Sequence, residues 1–236
     1  MSVRAVFFDL GGTLFSYGSL REVFGRALAG VAEEFALDVS ADEVRHAYQV
    51  SVMTVLSEYA GRPYYRHRDL FAEAHARMLE RLGVAGAAGA QGPVAAGPDA
   101  LGLAEVTPRD GVRDVLERLR AAGLHLAIVS NIDDDQFETI WKALGLDDCF
   151  DTITTSEAAG SCKPDGRIFE VARAKAGVAP EAVVFVGDSL QHDVAGANAA
   201  GMRSVWLSSE PTAPGSPHVP DHVIGDLREL PDLLLG

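Results

Sequence analysis

Four stretches of this sequence place a polar side chain after a strand-like run: Asp9 in "FFDLGGT", Ser130 in "IVSNIDDD", Lys163 in "SCKPDG" and Asp188 in "VGDSLQHD". In an open α/β sheet, ligands gather at the carboxyl ends of the strands. Because the carboxylates of Asp9 and Asp188 would repel each other there, we expect a cation between them. Mg²⁺ suits this position, since it prefers oxygen ligands and is often bound together with a substrate phosphate.

The same side chains predict a phosphate-containing substrate. A carboxylate in a turn after a buried strand can act as a nucleophile or as a metal ligand. We expect Ser130 and Lys163 to contact phosphate oxygens, with the lysine offsetting the negative charge of the transition state. Asp193, five residues after Asp188, is expected to orient Lys163 or a metal-bound water.

The loop after the first strand is rich in glycine. Gly11 and Gly12 permit a close approach of the backbone and unusual dihedral angles, and Thr13 adds a hydroxyl group. We predict that Gly12, Thr13 and Asn131 contact the substrate. An acid that ends a strand is more often a helix cap than a nucleophile. Four polar features at four strand-to-helix junctions nevertheless favour a functional site.

Strand-like runs alternate with helical periods at the start and in the second half of the chain. The apolar runs are 3–9, 124–130, 182–188 and 203–208, with a weaker one at 150–155. The helical periods are 111–123, 135–145, 165–177 and 190–201. Strands that alternate with helices indicate βαβ units, so the sequence predicts an α/β fold with a doubly wound parallel sheet.

Residues 16–105 interrupt this alternation with helices alone. Amphipathic patterns cover 20–37, 41–61 and 68–83, and no strand-like run separates them. The Ala/Gly/Pro-rich stretch 83–102 is interpreted as a flexible connector, with a loosely helical turn as the alternative. The predicted domains are a core, residues 1–15 and 106–236, and an inserted all-helical domain, residues 16–105.

Composition narrows the classes of function. The chain has 236 residues, 47% of them hydrophobic, and a formal net charge of −14. These values are typical of a soluble globular protein and argue against a nucleic-acid partner, which requires clustered Lys and Arg. Two cysteines without zinc-ligand spacing indicate a reducing compartment. Because no secretory signal or membrane-spanning apolar run is found, we expect a cytoplasmic protein with no membrane partner.

Together, the segments "DLGGT", "VSN", "KP" and "GDSLQHDVAGANAAG" resemble the four motifs of the haloacid dehalogenase (HAD) superfamily of hydrolases. The resemblance spans nearly the whole chain. The helical insertion is similar to that of members whose cap lies between the first and second motifs. The resemblance implies a Rossmann-like core and a mobile helical cap, residues 16–105, that closes over the active site.

The resemblance also implies roles for individual residues. Asp9 resembles the nucleophile that forms an aspartyl-phosphate intermediate. Ser130 and Lys163 resemble the phosphate-binding and charge-balancing residues, and Asp193 resembles the supporting acid of the fourth motif. The ligands of Mg²⁺ that the resemblance implies are Asp9, the backbone carbonyl of Gly11, and Asp188.

One position departs from the family pattern. Phosphatases of this family usually carry a second acid two residues after the nucleophile, which protonates the leaving alcohol and then activates water. Here that residue is Gly11, and loss of a positioned acid or base typically costs about 10²–10⁴ in rate. The sequence still predicts a Mg²⁺-dependent phosphatase for a small phosphorylated metabolite. Proton transfer would then come from water or from Tyr17, His67 or Asp133–Asp135, or the substrate would have a good leaving group.

Three alternative functions can be compared with the residues of this chain. A catalytically weakened protein that binds a phosphorylated ligand or a partner would keep the fold, and Gly11 leaves this alternative open. A 2-haloacid dehalogenase typically has an aromatic residue at this position and an Asn-containing fourth motif, and neither is present. A phosphonate-cleaving enzyme needs a cap lysine for a Schiff base. The lysines of this chain, Lys142, Lys163 and Lys175, all lie in the predicted core.

The insertion carries the densest basic and aromatic patch of the chain, "GRPYYRHRD" at residues 61–69. This patch could hold a phosphate, a carboxylate or an aromatic ring of a substrate, or it could be a plain loop between two helices. We predict that Arg66 within it contacts the substrate.

Overall fold

The computed structural model describes residues 2–84, 86–87, 89, 94–95, 106–209 and 216–236. The chain forms two units: the core unit, Met1–Ser16 and Thr107–Gly236, and the helical unit, Tyr17–Val106. Most of the predicted connector, residues 83–102, lies outside the described residues. None of the described helices is long and apolar enough to cross a membrane.

The helical unit contains α1 (Gly18–Glu34), α2 (Ala41–Tyr59) and α3 (His67–Arg81). A capping box starts α2, because the Ser40 side chain accepts a hydrogen bond from the Glu43 N–H and the Glu43 side chain accepts one from the Ser40 N–H. Buried side chains from all three helices, such as Val31, Val55 and Met78, form one apolar cluster. The three amphipathic segments of the sequence therefore pack on one another within this unit.

Six parallel strands form the sheet of the core unit. They are β1 (Ala5–Phe8), β2 (His125–Ser130), β3 (Thr152–Thr155), β4 (Val183–Gly187), β5 (Arg203–Leu207) and β6 (His222–Ile224). Their order across the sheet is β3-β2-β1-β4-β5-β6. This order confirms the predicted α/β fold with a parallel sheet. It reverses between β1 and β4, and such a switch point opens a crevice at the carboxyl ends of the two strands.

The central strands are almost entirely apolar because both of their faces are buried. All residues of β1 and β4 are buried, and on one face the ring of Phe185 packs 5.2 Å from that of Phe169. β1 and β4 are in register, with Phe8 beside Val186. The N–H of Asp9 extends this pairing with a 2.9 Å hydrogen bond to the carbonyl of Val186. The register thus places Asp9 at the carboxyl edge of the sheet, beside the end of β4.

The helices of the core unit are α4 (Val112–Ala121), α5 (Asp134–Leu144), α6 (Ser156–Ala159), α7 (Gly166–Ala176), α8 (Ala195–Ala199) and α9 (Leu230–Leu235). The single helix predicted over 190–201 is instead a wider π-helical turn, Leu190–Val194, followed by α8. In that turn the N–H groups of Asp193 and Val194 both donate to the carbonyl of Ser189, at 2.9 and 3.1 Å. Turns of this kind often occur at functional sites.

Candidate active site

A buried lysine joins two carboxylates at the carboxyl end of β1. Nζ of Lys163 donates hydrogen bonds of 2.6 Å to Oδ1 of Asp9 and of 2.6 Å to Oδ1 of Asp193. The side chains of all three residues are at most 9% exposed. The second oxygen of Asp193 accepts a 2.9 Å hydrogen bond from the N–H of Ser189. Both oxygens of Asp193 are therefore engaged, and this acid lies where it can orient Lys163.

The charges in this cluster shift one another's pKa values. Burial lowers the pKa of Lys163, but the carboxylates of Asp193 and Asp9 outweigh burial and hold that pKa above its usual range. Burial raises the pKa of Asp9, an effect that the Lys163 ammonium opposes and the charge of Asp193 reinforces. Lys163 is therefore charged at neutral pH and is available to balance negative charge at Asp9.

Two buried hydroxyl groups also contact Asp9. Ser130, the last residue of β2, donates to Oδ1 at 3.3 Å, and Thr13 donates to Oδ2 at 3.3 Å. Hydrogen bonds from a hydroxyl group to a carboxylate are usually about 2.5–2.7 Å long, so both of these contacts are weak. Each hydroxyl group can therefore turn to a better acceptor, such as a phosphate oxygen.

Asp188 follows β4 and completes a group of three acids. Single carboxylate oxygens of Asp9, Asp188 and Asp193 lie within 4.8 Å of one another. Asp188 is exposed, but partial desolvation of its carboxylate, together with the negative charges of Asp9 and Asp193, raises the pKa of Asp188 to about 7. Among the described residues, this group of three acids is thus paired with one lysine ammonium, so its negative charge exceeds the positive charge. A divalent cation that prefers oxygen ligands would balance it, so these residues fit Mg²⁺.

Gly12 allows Asp188 to approach the loop after β1. The φ angle of Gly12 is +83°, and a Cβ there would lie 2.0 Å from Oδ2 of Asp188. The N–H of Gly12 donates to the carbonyl of Phe15 at 2.9 Å, and its carbonyl accepts a 2.5 Å hydrogen bond from Nη2 of Arg109. Both polar backbone groups are engaged, so the structure gives Gly12 a packing role against Asp188. A substrate contact by Gly12 stays a prediction.

Asn131 holds the main chain of Lys163. Nδ2 of Asn131 donates to the carbonyl of Lys163 at 3.0 Å, and Oδ1 of Asn131 accepts from the N–H of Lys163 at 2.6 Å. Both ends of the amide are therefore bound to the residue that contacts Asp9. The sequence predicted that Asn131 contacts the substrate, whereas the structure places it where it can position Lys163.

Trp206 is a residue of this site that the sequence analysis missed. It lies on β5 beside Gly187 of β4, and its Nε1 donates a 2.8 Å hydrogen bond to the carbonyl of Asp188. The indole therefore fixes the main chain of Asp188 from the neighbouring strand. The available signal was the order of the strands, because a residue near the end of β5 lies next to the residue that ends β4.

The remaining predicted residues of the core unit follow β1 and β2. Gly11 forms an isolated bridge with Phe15 in the loop after β1. Asp133 is buried at the start of α5, and the carboxylate of the following Asp134 accepts a hydrogen bond from the hydroxyl group of Thr155. The predicted contacts in the helical unit are Tyr17, Arg66 and His67. They belong to a different unit from Asp9, so their roles stay predictions.

Known proteins resemble this chain in both sequence and structure. A family model for haloacid dehalogenase-like hydrolases matches residues 3–201. A glyceraldehyde 3-phosphate phosphatase from Methanopyrus kandleri is 32% identical over 241 residues, which cover 98% of this chain and 97% of that protein. A HAD phosphatase from Thermococcus onnurineus has a TM-score of 0.72 at 25% identity, with 98% of each chain covered.

The L-2-haloacid dehalogenase from Xanthobacter autotrophicus also has a TM-score of 0.72 at 25% identity, with 99% of each chain covered. Because a phosphatase and a dehalogenase resemble this structure equally, the fold by itself does not separate the two chemistries. A relative that is 32% identical over 97% of its own length is named a phosphatase. On this evidence the chain belongs to the haloacid dehalogenase-like hydrolase family, in its phosphatase branch.

Proposed function

We propose that this hydrolase is a Mg²⁺-dependent phosphatase that cleaves a small phosphorylated metabolite through an aspartyl-phosphate intermediate on Asp9. One observation carries the proposal: the carboxylate of Asp9 lies 2.6 Å from Nζ of Lys163 and within 4.8 Å of the carboxylate of Asp188. A nucleophile for phosphoryl transfer needs a cation for the phosphate charge and a nearby metal position. Both needs are met around this one side chain.

Asp9, Asp188 and the backbone carbonyl of Gly11 would hold the Mg²⁺ ion. When bound, the ion would neutralise the two carboxylates and polarise the phosphate oxygens. Asp193 is not assigned as a metal ligand, because its two oxygens already accept hydrogen bonds from Lys163 and from the N–H of Ser189.

The side chains of this protein would carry out the remaining steps. Asp9 attacks phosphorus, the bond from phosphorus to the leaving oxygen breaks, and the phosphoryl group stays on the Asp9 carboxylate. Lys163, Ser130 and Thr13, which contact Asp9, would bind the phosphate oxygens as negative charge develops on them. Water then attacks phosphorus and releases inorganic phosphate together with the free Asp9 carboxylate.

The substrate is proposed to be small. A relative that is named a glyceraldehyde 3-phosphate phosphatase and covers this chain almost completely supports this proposal. Arg66, exposed just before α3, is proposed to contact the substrate, because an arginine can bind carboxylate or phosphate oxygens with two parallel hydrogen bonds.

Release of inorganic phosphate from a panel of phosphorylated metabolites tests this function. We expect release that requires Mg²⁺ and stops with EDTA. Asp9→Asn should abolish release while the protein stays folded, because an amide cannot form the acyl phosphate. Asp38→Asn, which changes an exposed carboxylate of the helical unit, is the matched control. Undiminished release by Asp9→Asn would overturn the assignment of the nucleophile.

A binding protein with little turnover is the second candidate, and the absent side chain at Gly11 favours it. Calorimetry separates the two functions when it is run on the same panel. A phosphorylated compound that binds with Mg²⁺ present but releases no phosphate would support the binding protein. Turnover of any bound member would support the phosphatase.

A further inference from the structure

We propose that the preferred substrates are phosphoryl compounds whose leaving group departs as a stable anion, such as acyl phosphates and aryl phosphates. Alkyl phosphates, the esters of ordinary alcohols, are then poor substrates. This inference rests on the proposed function and narrows its substrate class. It follows from how hydrogen-bond donors are distributed around Asp9.

The loop after β1 is fixed, and it offers no proton donor at position 11. Gly11 has no side chain, and hydrogen bonds hold the chain on both sides of it: Leu14 N–H to the Leu10 carbonyl at 2.8 Å, and Gly12 N–H to the Phe15 carbonyl at 2.9 Å. The side chain of Arg109 adds a 2.5 Å hydrogen bond to the carbonyl of Gly12. The loop therefore brings only main-chain atoms to this position.

The protic side chains that contact Asp9 direct their hydrogens at carboxylates. Ser130 and Thr13 donate to Asp9, and Lys163 donates to both Asp9 and Asp193 at 2.6 Å. Asp193 accepts hydrogen bonds at both of its oxygens, from Nζ of Lys163 and from the N–H of Ser189. These groups are arranged to stabilise negative charge on Asp9 and on phosphate oxygens. Among the described residues of the core unit, the side chains that donate to Asp9 are thus directed at carboxylate oxygens.

The consequence for the first step depends on the leaving group. Asp9 forms a bond to phosphorus, and the electron pair of the breaking bond goes to the leaving oxygen. An alkoxide is about as basic as hydroxide and far more basic than a carboxylate or a phenolate, so it needs a proton as it departs. A carboxylate or a phenolate, with conjugate acids of pKa about 4 and about 10, can depart as an anion. Without an acid at position 11, the cleavage of alkyl phosphates should therefore be slowed by about 10²–10⁴ relative to that of acyl and aryl phosphates.

The test is a series of substrates graded by the acidity of the leaving group. Acetyl phosphate, nitrophenyl phosphate, phenyl phosphate and glycerol phosphate are compared by kcat/KM with Mg²⁺ present. We expect kcat/KM to fall steeply as the leaving group becomes more basic. In Gly11→Asp the ratio of the alkyl to the aryl value should rise by about 10²–10⁴. Gly11→Asn, which adds a side chain of similar size without a transferable proton, should leave that ratio low.

The outcomes separate this inference from the proposed function. Equal kcat/KM values for alkyl and aryl phosphates in the natural protein would overturn the inference and leave the phosphatase intact. His192, whose Nδ1 pairs with Ser189 Oγ at 3.1 Å, would then be the first donor to test, through His192→Gln. No phosphate release from any member of the series, acetyl phosphate included, would overturn the proposed function itself. The profile of the natural protein decides even where a Gly11 variant fails to fold.

Discussion

Lys163 is the residue on which the charge balance of the site depends. It is buried between Asp9 and Asp193, and its ammonium group donates a hydrogen bond to each of them. A buried charge is tolerated when it is paired and hydrogen-bonded. At the scale of single residues, the stability of this region and its chemistry therefore depend on the same ammonium group.

Replacement of Lys163 should destabilise the protein strongly. Lys163→Gln leaves Asp9 and Asp193 buried without their cation, and breaking a buried ion pair in this way costs about 3–5 kcal/mol. Urea unfolding in EDTA measures the free energy of unfolding, with Lys142→Gln on the exposed side of α5 as the control. A loss below about 1 kcal/mol would contradict the assignment of a buried, charged lysine.

Asn131 provides a test between positioning and substrate binding. Its amide bonds both the N–H and the carbonyl of Lys163, so Asn131→Ala should displace the ammonium from Asp9. We expect kcat to fall by about 10–100-fold, as for other residues that hold a ligating or catalytic group, with KM little changed. Steady-state kinetics distinguish the two roles. A rise in KM at constant kcat would instead support the sequence prediction of a direct substrate contact.

At the scale of elements, the strand register explains why distant residues meet. β4 and β5 are paired so that Trp206 lies beside Gly187, and the indole bonds the carbonyl of Asp188 at 2.8 Å. The π-helical turn after β4 brings Asp193 back toward Lys163, because its N–H and that of Val194 share the carbonyl of Ser189. Two neighbouring elements thus fix the two acids that follow β4.

Removal of the indole hydrogen bond should weaken Mg²⁺ binding. Trp206→Phe keeps a ring on β5 but loses a hydrogen bond with a net value of about 0.5–1.5 kcal/mol, which corresponds to a Mg²⁺ affinity about 2–10-fold lower. Isothermal titration calorimetry measures this affinity. The control is Trp141→Phe, because Trp141 packs against Phe137 and Phe150 on another part of the core unit. Equal effects of the two variants would assign Trp206 to packing alone.

The elements also show what sequence reasoning can and cannot supply. The predicted strands from 3–9 to 203–208 are present, because continuous apolar runs require burial on both faces. β6 was not predicted, since its three residues become a strand only by pairing with β5. The turn Leu190–Val194 was predicted as ordinary helix. Its wider winding depends on the carbonyl to which each N–H donates, and the apolar pattern of the sequence does not specify that carbonyl. The pairing of Asn131 with Lys163 was not predicted, because it spans 32 positions of sequence.

At the scale of the whole molecule, the chain carries a net charge of −14, and the group of three acids, Asp9, Asp188 and Asp193, is one place where negative charge is concentrated. The folded protein confines three carboxylates within 4.8 Å, whereas the unfolded chain separates them. A cation that binds this cluster therefore favours the folded state, and its effect appears in global stability as well as in turnover.

Asp188→Asn should have opposite effects on stability with and without Mg²⁺. The folded state raises the pKa of Asp188 from its ordinary 3.8 to about 7. The ionisation of Asp188 therefore lowers the free energy of unfolding as pH rises between these two values, and the decrease is complete above pH 7. In EDTA at pH 8 the variant should therefore be more stable than the natural protein, and near pH 4 the difference should shrink. With Mg²⁺ at 100 times its Kd the natural protein gains about 2.7 kcal/mol.

The variant should gain much less from Mg²⁺, because it has lost one charged ligand. Calorimetric melting of both proteins at the two pH values, with EDTA or Mg²⁺, measures the stability difference between them under each of these four conditions. Equal stabilisation of both proteins by Mg²⁺ would exclude Asp188 as a ligand.

The hydrogen bond from Trp206 to Asp188 also gives the protein an optical reporter. The chain has two tryptophans, so a Trp141→Phe background leaves a single indole, bonded to the main chain of a proposed metal ligand. Its emission should respond to electric-field changes when a divalent ion enters the cluster. Fluorescence titration would then follow ion binding in the unlabelled protein. Stopped-flow mixing under single-turnover conditions would follow phosphoryl transfer and phosphate release.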